Sequence, residues 1–398
     1  MNPRIIIHLD LDAFFCAVEE QLDPQLRGLP FAVGGRPDER GVVSSCSYAA
    51  RAFGVHSAMP MAQALRQCPN LKVVSPHYSE YRKASQQVME RLHKLTPLVE
   101  QLSIDEAFLD ASDLTEDAPT LGRELQANIR SELGLPCSLG IASNKLVAKI
   151  ANDVGKGAAQ GGVPPNALTI VPAGREAEFL ASLPVKMLWG VGPKTAEKLT
   201  PLGVQTIGDL ANIPAGQLAK HFGKIGWDLA KRARGIDARP IVTEHKAKSI
   251  SQETTYTRDT RDESVLRKTL HQQSEHIARE LKKQELSART VKIKLRWPDF
   301  SALTRQTTLT QPTRVAADIR RAAEQLFNES WSQGKDIRLL GVGVSNLEAL
   351  PRQLGLWDPN IKKDLQLRET LSNLQERFGE NAIRRGIQKS DSDKPEEL

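Results

Sequence analysis

Two adjacent carboxylates, Asp105 and Glu106, stand in a stretch whose other residues are mostly apolar or small, residues 102–110. The apolar residues of this stretch favour a β-strand. Neighbouring side chains of a strand point to opposite faces, so the two carboxylates can serve one site only at a bend, a bulge or a hairpin tip. A second predicted strand, residues 1–12, carries Asp10 and could bring a third carboxylate to the same place.

Such a group of carboxylates predicts a metal site. Three carboxylates within roughly 4 Å of one another repel by several kcal/mol per pair, so the group requires cations. Oxygen ligands favour hard ions, Mg²⁺ first, and two such ions align an oxygen nucleophile for in-line attack on phosphorus. The alternative is that Asp105 and Glu106 cap a surface hairpin and that Asp10 merely ends a strand.

Length and composition set wide bounds. The 398 residues are enough for two to four domains, and 40% hydrophobic residues with 5% aromatics are typical of a soluble protein. The apolar run near the N-terminus is broken at once by His8 and Asp10, so we expect neither a signal peptide nor a membrane span, and by default a cytoplasmic protein. The four cysteines lack CxxC spacing, which argues against a zinc site or a disulfide framework and predicts small buried side chains.

The formal net charge of +6 is unevenly distributed. Residues 1–165 are net acidic, whereas residues 166–240 and 241–350 are net basic. This pattern suits a carboxylate active site whose polyanionic substrate is held by the neighbouring regions. Solvated charged faces are common, so the charge alone is weak evidence.

Four segments carry a resemblance to a known family. They are, in chain order, IIIHLDLDAFFCAVEEQ, GVVSSCSYAARAFGVHSAMP, QLSIDEAFLD and SNKLVAKIAND. With this order and these separations the chain resembles the Y-family translesion DNA polymerases, in their bacterial DNA polymerase IV branch, from residue 1 to about residue 350. The resemblance implies an α+β multidomain polymerase shaped like a right hand. Its parts would be a palm with a ferredoxin-like βαββαβ-type sheet, small fingers, a helical helix-hairpin-helix thumb and an α/β little finger.

The same resemblance sets the expected domain boundaries. We expect a palm at residues 1–12 and 71–165, fingers at 13–70, a thumb at 166–233, a linker at 234–248, a little finger at 249–348, and a clamp-binding peptide with a C-terminal extension at 349–398. The linker prediction also rests on the polar, basic character of that segment. Within the little finger we expect three strands and two helices.

The resemblance assigns roles to the acidic residues. The position of Asp10 binds both metal ions in the family, together with Asp105 and Glu106, and the position of Leu11 adds a backbone carbonyl oxygen. Asp12 follows Asp10 at strand period, but we interpret it as the N-cap of the helix that begins near Phe14.

Four residues are expected to hold the nucleotide. By resemblance Phe15 is the steric gate, an aromatic ring that clashes with a 2′-hydroxyl. Without the resemblance it reads as a plain core residue. Tyr48 and Arg51 match positions that grip the triphosphate, and a planar guanidinium suits phosphate oxygens. Lys156 has the same implied role, although the glycine-rich residues 156–162 depart from the family's usual Lys-Pro-Asn-Gly and predict a loose loop.

Two further patterns predict contacts with DNA. Residues 188–199 have the form of a helix-hairpin-helix, whose glycines admit a phosphate and whose helix start favours an anion. Basic residues at every second position of a predicted strand share one face. The alternatives are a simple tight turn and a solvated basic strand. The candidate residues are Gly190, Gly192, Lys194, Lys292, Lys294 and Arg296.

A short motif predicts a protein partner. Gln353, Leu354, Leu356 and Trp357 resemble the peptide with which bacterial polymerases bind the sliding clamp.

We therefore predict a monomeric, template-directed DNA polymerase. It would bind primer-template DNA and a dNTP, add a deoxynucleoside monophosphate to the primer 3′ end with two Mg²⁺ ions, and release pyrophosphate. No segment resembles a proofreading exonuclease, and the family implies bypass of damaged templates. The alternatives are a polymerase-like accessory protein that binds DNA and clamp without catalysis, and a two-metal nuclease.

Overall fold

The structure is a computed structural model that describes residues 4–158, 162–244 and 246–349. The described residues form three β-sheets with helices packed on them. None of the helices within these ranges is long and apolar enough to cross a membrane. All four cysteines are buried, as predicted.

The first region, up to residue 170, alternates strands and helices. In chain order these are β1 (Ile6–Leu11), α1 (Phe14–Leu22), β2 (Phe31–Gly34), β3 (Val43–Cys46), α2 (Tyr48–Arg51), α3 (Met61–Gln67), β4 (Lys72–Val74), α4 (Tyr78–Leu95), β5 (Val99–Gln101), β6 (Glu106–Asp110), α5 (Ala118–Leu133), β7 (Cys137–Ala142), α6 (Lys145–Gly157) and β8 (Leu168–Ile170). Strands β5, β6, β1, β7 and β8 form, in this order, a five-stranded sheet, while β3, β2 and β4 form a smaller one.

Strand β1 lies at the centre of the five-stranded sheet and is covered on both faces. Ile7 and Leu9 pack in one core with residues of α4 and α5, whereas Ile6 packs in a second core with residues of α6. Because side chains alternate along a strand, Asp10 lies on the same face as Ile6, under α6. Burial on both faces also explains why this strand reads as a nearly continuous apolar run.

Helix α6 lies unusually close to the sheet, at Gly140 of β7. A Cβ atom at Gly140 would lie 2.0 Å from the carbonyl oxygen of Ala148 and 2.5 Å from the amide nitrogen of Asn152. Any side chain here would push the helix away. The close approach brings the lysines of α6 within reach of the carboxylates on the neighbouring strands.

The second region is helical from Glu176 onwards. The predicted all-helical segment began at residue 166, and this start is wrong, because residues 168–170 form β8 at the edge of the first sheet. Its helices are α7 (Glu176–Ala181), α8 (Pro193–Leu199), α9 (Ile207–Asn212), α10 (Ala215–Phe222) and α11 (Lys224–Ala233). Helix α9 begins with a capping box in which Thr206 and Asp209 each bond the other's backbone amide. Leu180, Leu188 and Leu210 of this region share one core with α6, so the helical region packs on that face of the first sheet.

The third region is a four-stranded antiparallel sheet with two helices. Its elements are β9 (Ser249–Thr260), α12 (Glu263–Lys283), β10 (Leu286–Arg296), β11 (Ala302–Thr313), α13 (Ala316–Ser330) and β12 (Ile337–Ala349). The strand order is β11, β10, β12, β9. The three predicted strands and both predicted helices are present. The fourth strand, β11, was not predicted, because it is a mostly exposed edge strand rich in Thr and Gln that lacks a buried face.

The first part of the predicted linker is docked on the first region. Lys145 and Glu100, both buried, form an ion pair of 2.5 Å, and Glu100 also accepts a hydrogen bond from the amide of Val242. Asp237 accepts a hydrogen bond from the amide of Leu146, at the start of α6. These contacts hold residues 235–242 against the sheet, so this part of the linker is not a free tether.

We expect Phe108→Ala to lower the free energy of unfolding by about 3–5 kcal/mol, because Phe108 is fully buried in β6 and its removal leaves a cavity. Its ring also lies 5.9 Å from that of Trp189, which joins the sheet to the helical region. Denaturant unfolding measures the change. Phe53→Ala is the matched control, since Phe53 is 55% exposed and its loss is expected to change stability by only about 0.5 kcal/mol or less. Equal effects of the two changes would contradict the prediction.

Candidate active site

The pairing of β1 with β6 brings the predicted carboxylates together. Asp10 stands directly opposite Glu106 in the antiparallel register, and the amide of Leu11 donates a hydrogen bond of 3.0 Å to the carbonyl of Asp105. Asp105 lies in the turn before β6, where Ser103 Oγ donates to its carboxylate at 2.6 Å. The bend that the sequence required between the adjacent acids is therefore present, and Asp10, Leu11 and Asp105 line one cleft.

Two lysines of α6 form ion pairs with these carboxylates. Lys156 Nζ contacts Asp10 Oδ1 and lies 3.4 Å from Asp12 Oδ1. Lys149 Nζ lies 2.9 Å from Glu106 Oε1. Burial raises the pKa of Asp10 to about 7 against the opposing effect of Lys156, while Glu106 and Asp105 raise it further. Within the described ranges, no group of three or more His, Cys, Asp and Glu side chains is arranged to hold a metal ion. The lysines supply the positive charge that the acidic group requires.

Asp12 does not cap the following helix, so that prediction is wrong. The residue before α1 is Ala13, in the left-handed conformation with φ 46°, and no side chain caps the helix. Asp12 is fully buried instead, and it accepts hydrogen bonds from Ser138 Oγ at 2.8 and 3.0 Å and from the amide of Asn166 at 2.9 Å. The Asp12 carboxylate therefore joins the end of β1 to β7 and to the segment before β8. Buried polar groups need hydrogen-bond partners, and the hydroxyl of Ser138 and the amide of Asn166 are the donors within its reach.

A cleft of about 340 Å³ adjoins the carboxylates. All four residues predicted to hold the nucleotide line it: Phe15, Tyr48, Arg51 and Lys156. Small side chains complete the wall. Ser44 and Ser45 come from β3, within the second of the four segments that carry the resemblance. Ser57 lies further along the same segment and was not predicted, because only the folded chain brings it there.

Tyr48 and Arg51 form one unit at the rim of this cleft. Ser47 caps α2 by accepting a hydrogen bond from the amide of Ala50, and Tyr48 and Arg51, three residues apart in this single turn, lie on one face. The Arg51 guanidinium lies 4.4 Å from the centre of the Tyr48 ring, a cation–π contact. Burial raises the pKa of the Tyr48 hydroxyl, so it remains a neutral hydrogen-bond donor.

Lys156 lies on a helix and not in a loop. The sequence predicted a loose loop from residue 156 onwards, but α6 continues to Gly157 and Lys156 occupies its last turn. The contacts of Lys156 with Asp10 and Asp12 stabilise this turn despite its glycines. The lysine is therefore held more firmly than a glycine-rich loop would allow.

The helix-hairpin-helix residues are arranged as their pattern predicts. Gly190 has φ 100°, which favours glycine, and Pro193 occupies the first turn of α8 directly after Gly192. Gly192 and Lys194 are exposed. Arg232, which sequence reasoning missed, donates a hydrogen bond of 3.1 Å to the carbonyl of Trp189 and supports the hairpin from α11.

The three basic residues of β10 share the sheet face that points away from the helices. Lys292, Lys294 and Arg296 are half-buried there, while the alternate residues pack in the core. Lys294 is already paired, with its Nζ 2.8 Å from Glu253 of β9. The face is therefore less basic than the strand alone suggests. The clamp-motif residues Gln353, Leu354, Leu356 and Trp357 lie outside the residues that the structure describes.

Comparison with known proteins identifies the family. The model of the impB/mucB/samB family matches residues 9–153, the model of its C-terminal domain matches residues 247–356, and a model described as the DNA polymerase-iota thumb domain matches residues 186–237. A solved Y-family DNA polymerase chimera, Dbh-Dpo4(243-245)-Dbh, superposes with a TM-score of 0.76 at 26% identity, over 86% of this chain and 99% of that chain.

Curated relatives match over nearly the whole chain. A protein named DNA polymerase IV from Desulfatibacillum aliphaticivorans is 40% identical over 394 residues, 96% of each chain. Another of that name from Dehalococcoides mccartyi is 39% identical over 97% of this chain and 98% of its own. A third, from Streptococcus pyogenes, is 39% identical over 87% of this chain and 95% of its own. The chain belongs to the Y-family DNA polymerases, and within them to the DNA polymerase IV branch. The predicted fold class is confirmed.

Proposed function

We propose that this chain adds deoxynucleoside monophosphates to a primer 3′ end through a site built on Asp10, Asp105 and Glu106. As a Y-family polymerase it is a DNA-directed DNA polymerase of the translesion type that binds primer-template DNA and dNTP. The observation that carries the proposed site is the register of β1 on β6, which sets Asp10 opposite Glu106 with Asp105 in the adjoining turn, beside a cleft with three basic or phenolic side chains.

The family depends on divalent metal ions, and the donor set of this chain fits Mg²⁺. Asp10, Asp105, Glu106 and the carbonyl of Leu11 are hard oxygen ligands. Burial raises the pKa of Asp10, and Lys149 and Lys156 lie against the carboxylates; both observations support a site that needs positive charge. Two bound Mg²⁺ ions would lower the pKa of the primer hydroxyl and neutralise charge on the departing pyrophosphate.

The surrounding side chains would hold the nucleotide. Arg51 offers two parallel donors to phosphate oxygens, Tyr48 offers a neutral hydroxyl, and Lys156 would exchange the Asp10 carboxylate for a phosphate oxygen. Phe15 would lie against the sugar and exclude a 2′-hydroxyl. For the DNA duplex, the exposed hairpin at Gly190, Gly192 and Lys194, and the basic face of β10, would hold phosphates without reading sequence.

A primer-extension assay with a labelled primer tests the proposal. With Mg²⁺ and dNTPs we expect elongation, and with dNTPs withheld no change. Shortening of the primer would indicate a two-metal nuclease instead, and an unchanged primer under both conditions would indicate an accessory protein without catalysis.

We expect Arg51→Ala to raise the apparent KM for dNTP by about 10- to 100-fold, the worth of charge-assisted hydrogen bonds to phosphate. Single-nucleotide insertion kinetics measure the change. Arg36→Ala is the matched control, because Arg36 is an exposed arginine of the same region that pairs with Asp38 outside the cleft. A KM that stays the same in Arg51→Ala would contradict the triphosphate role.

The motif at residues 353–357 would bind the sliding clamp of the same bacterium. We expect the double change Leu354→Ala and Trp357→Ala to abolish the increase in product length that added clamp produces, because the apolar anchors of such a peptide carry most of its affinity. Extension without clamp should stay the same in both proteins. Full stimulation of the double variant by clamp would contradict this proposal.

A further inference from the structure

A buried carboxylate that the catalytic site does not use lies directly behind the sugar-facing residue. Glu19 is on α1, one turn after Phe15, and is only 2% exposed. Its two oxygens lie 2.9 and 3.0 Å from His77 Nδ1, and the hydroxyl of Tyr81 donates a hydrogen bond to its Oε1. His77 directly precedes α4 and Tyr81 lies in its first turn, four residues later. Phe15 and Glu19 have the same spacing on α1, so the two pairs face each other across the helices.

The Tyr81 ring supports Phe15. The two rings are stacked with centroids 4.2 Å apart and planes at 12°. Tyr78 stands edge-on to both, at 6.2 Å from Phe15 and 5.9 Å from Tyr81. Tyr81 is fully buried, whereas Phe15 lines the cleft. The position of the Phe15 ring in the cleft therefore depends on where the Tyr81 ring is held.

Stacking alone does not hold a ring in register, because parallel rings slide past each other at little cost. The hydrogen bond from the Tyr81 hydroxyl to Glu19 fixes the far end of that ring. Burial raises the pKa of Tyr81 and its bond to Glu19 raises it further, so the hydroxyl remains a donor. A buried carboxylate is costly unless its hydrogen bonds are satisfied, and an apolar residue would fill the same space at lower cost. A carboxylate at this buried position, with both oxygens satisfied by His77 and Tyr81, points to a role in positioning.

We infer that Glu19 is a positioning residue for sugar selection, which holds Tyr81 and through it the face that Phe15 presents to C2′ of the incoming nucleotide. The inference rests on the proposed role of Phe15 as the group that excludes a 2′-hydroxyl. A Phe15 ring that can retreat leaves room for the hydroxyl, while a deoxynucleotide, which needs no such room, is bound nearly as before.

The test is the ratio of kcat/KM for dNTP to kcat/KM for rNTP in single-nucleotide insertion. We expect Tyr81→Phe, which keeps the ring, and Glu19→Leu each to lower this ratio by about fivefold, the worth of one hydrogen bond. The change should come from faster ribonucleotide insertion, with dNTP kinetics within about twofold of the parent. The double variant should match the single variants, because both remove the same bond. Glu19→Gln should retain most of the selectivity, since its amide oxygen still accepts from Tyr81.

A second buried carboxylate serves as the control. Glu100→Gln disturbs the buried pair with Lys145 and should lower thermal stability without changing the selectivity ratio. An unchanged ratio in both Tyr81→Phe and Glu19→Leu, or losses that add in the double variant, would overturn the inference. Phe15→Val tests the proposed gate separately. If it too leaves the ratio unchanged, Phe15 does not exclude the 2′-hydroxyl, and if it alone changes the ratio, only the role of Glu19 fails.

Discussion

Asp105→Ala is expected to lower primer extension with Mg²⁺ by about a thousandfold or more, equivalent to ~4 kcal/mol of transition-state stabilisation. The change removes one of three carboxylates from the proposed metal site, while its backbone contact with Leu11 persists. Binding of primer-template DNA should remain nearly the same, because the loss of a negative charge does not weaken attraction for a polyanion. Extension kinetics and a DNA-binding titration measure the two quantities.

The control for this variant is Asp113→Ala, an exposed aspartate shortly after β6, which should extend primers normally. A melting curve should show that both variants are folded, since Asp105 contributes to the fold chiefly its hydrogen bond with Ser103. Extension retained by Asp105→Ala in the presence of Mg²⁺ would refute the catalytic assignment. Retained DNA binding with lost extension would also separate this chain from an accessory protein, which loses nothing when the carboxylate is removed.

Phe15→Val is expected to lower discrimination against ribonucleotides by roughly 100-fold, near the upper end of what steric fit in a pocket supplies. The aromatic ring lines the cleft and is backed by the stacked ring of Tyr81, so it is placed to resist displacement by a 2′-hydroxyl. Valine removes the ring but leaves a smaller apolar side chain next to Tyr81. Competition between dNTP and rNTP on one template measures the ratio.

Phe31→Val controls for the general loss of packing around the cleft. Phe31 is fully buried in β2, in the core against which the partly buried Phe15 packs, so its replacement is expected to lower stability at least as much. We expect its ribo-to-deoxy ratio to match the parent. If the two variants have the same ratio, Phe15 acts only as a core residue, the reading that its position on an amphipathic helix also allows.

The grouping of Asp10 with Asp105 and Glu106 could be predicted from the local sequence pattern. If Asp105 and Glu106 are to serve one site, the chain must bend between them, and β1 must pair with β6 to add Asp10. The structure has both the bend and the pairing. The prediction for Asp12 was wrong for the opposite reason. Helix capping depends on neighbouring residues. The side chain of Asp12 instead accepts hydrogen bonds from Ser138 and Asn166, which lie more than a hundred residues away in the chain.

Lys156 and β11 were mispredicted on similar grounds. Glycine content predicted a loop at Lys156, but two carboxylates of β1 and of the turn after it hold it on the helix. The exposed, Thr-rich residues of β11 carry no apolar period, and they form a strand because β10 offers them a partner along its whole edge. In both cases the deciding interactions join distant parts of the chain.

The sequence by itself determined the family, most of the succession of strands and helices, and four of the residues that line the cleft, because these follow from short motifs and from the spacing of apolar side chains. Only the tertiary structure decided which polar groups pair. Lys149 pairs with Glu106 and Lys156 with Asp10, and Glu19 bonds to His77 and to the Tyr81 hydroxyl. The physical reason is that a buried charge takes whichever partner the packed elements bring within reach, and that geometry arises only when the sheet and its helices have closed around it.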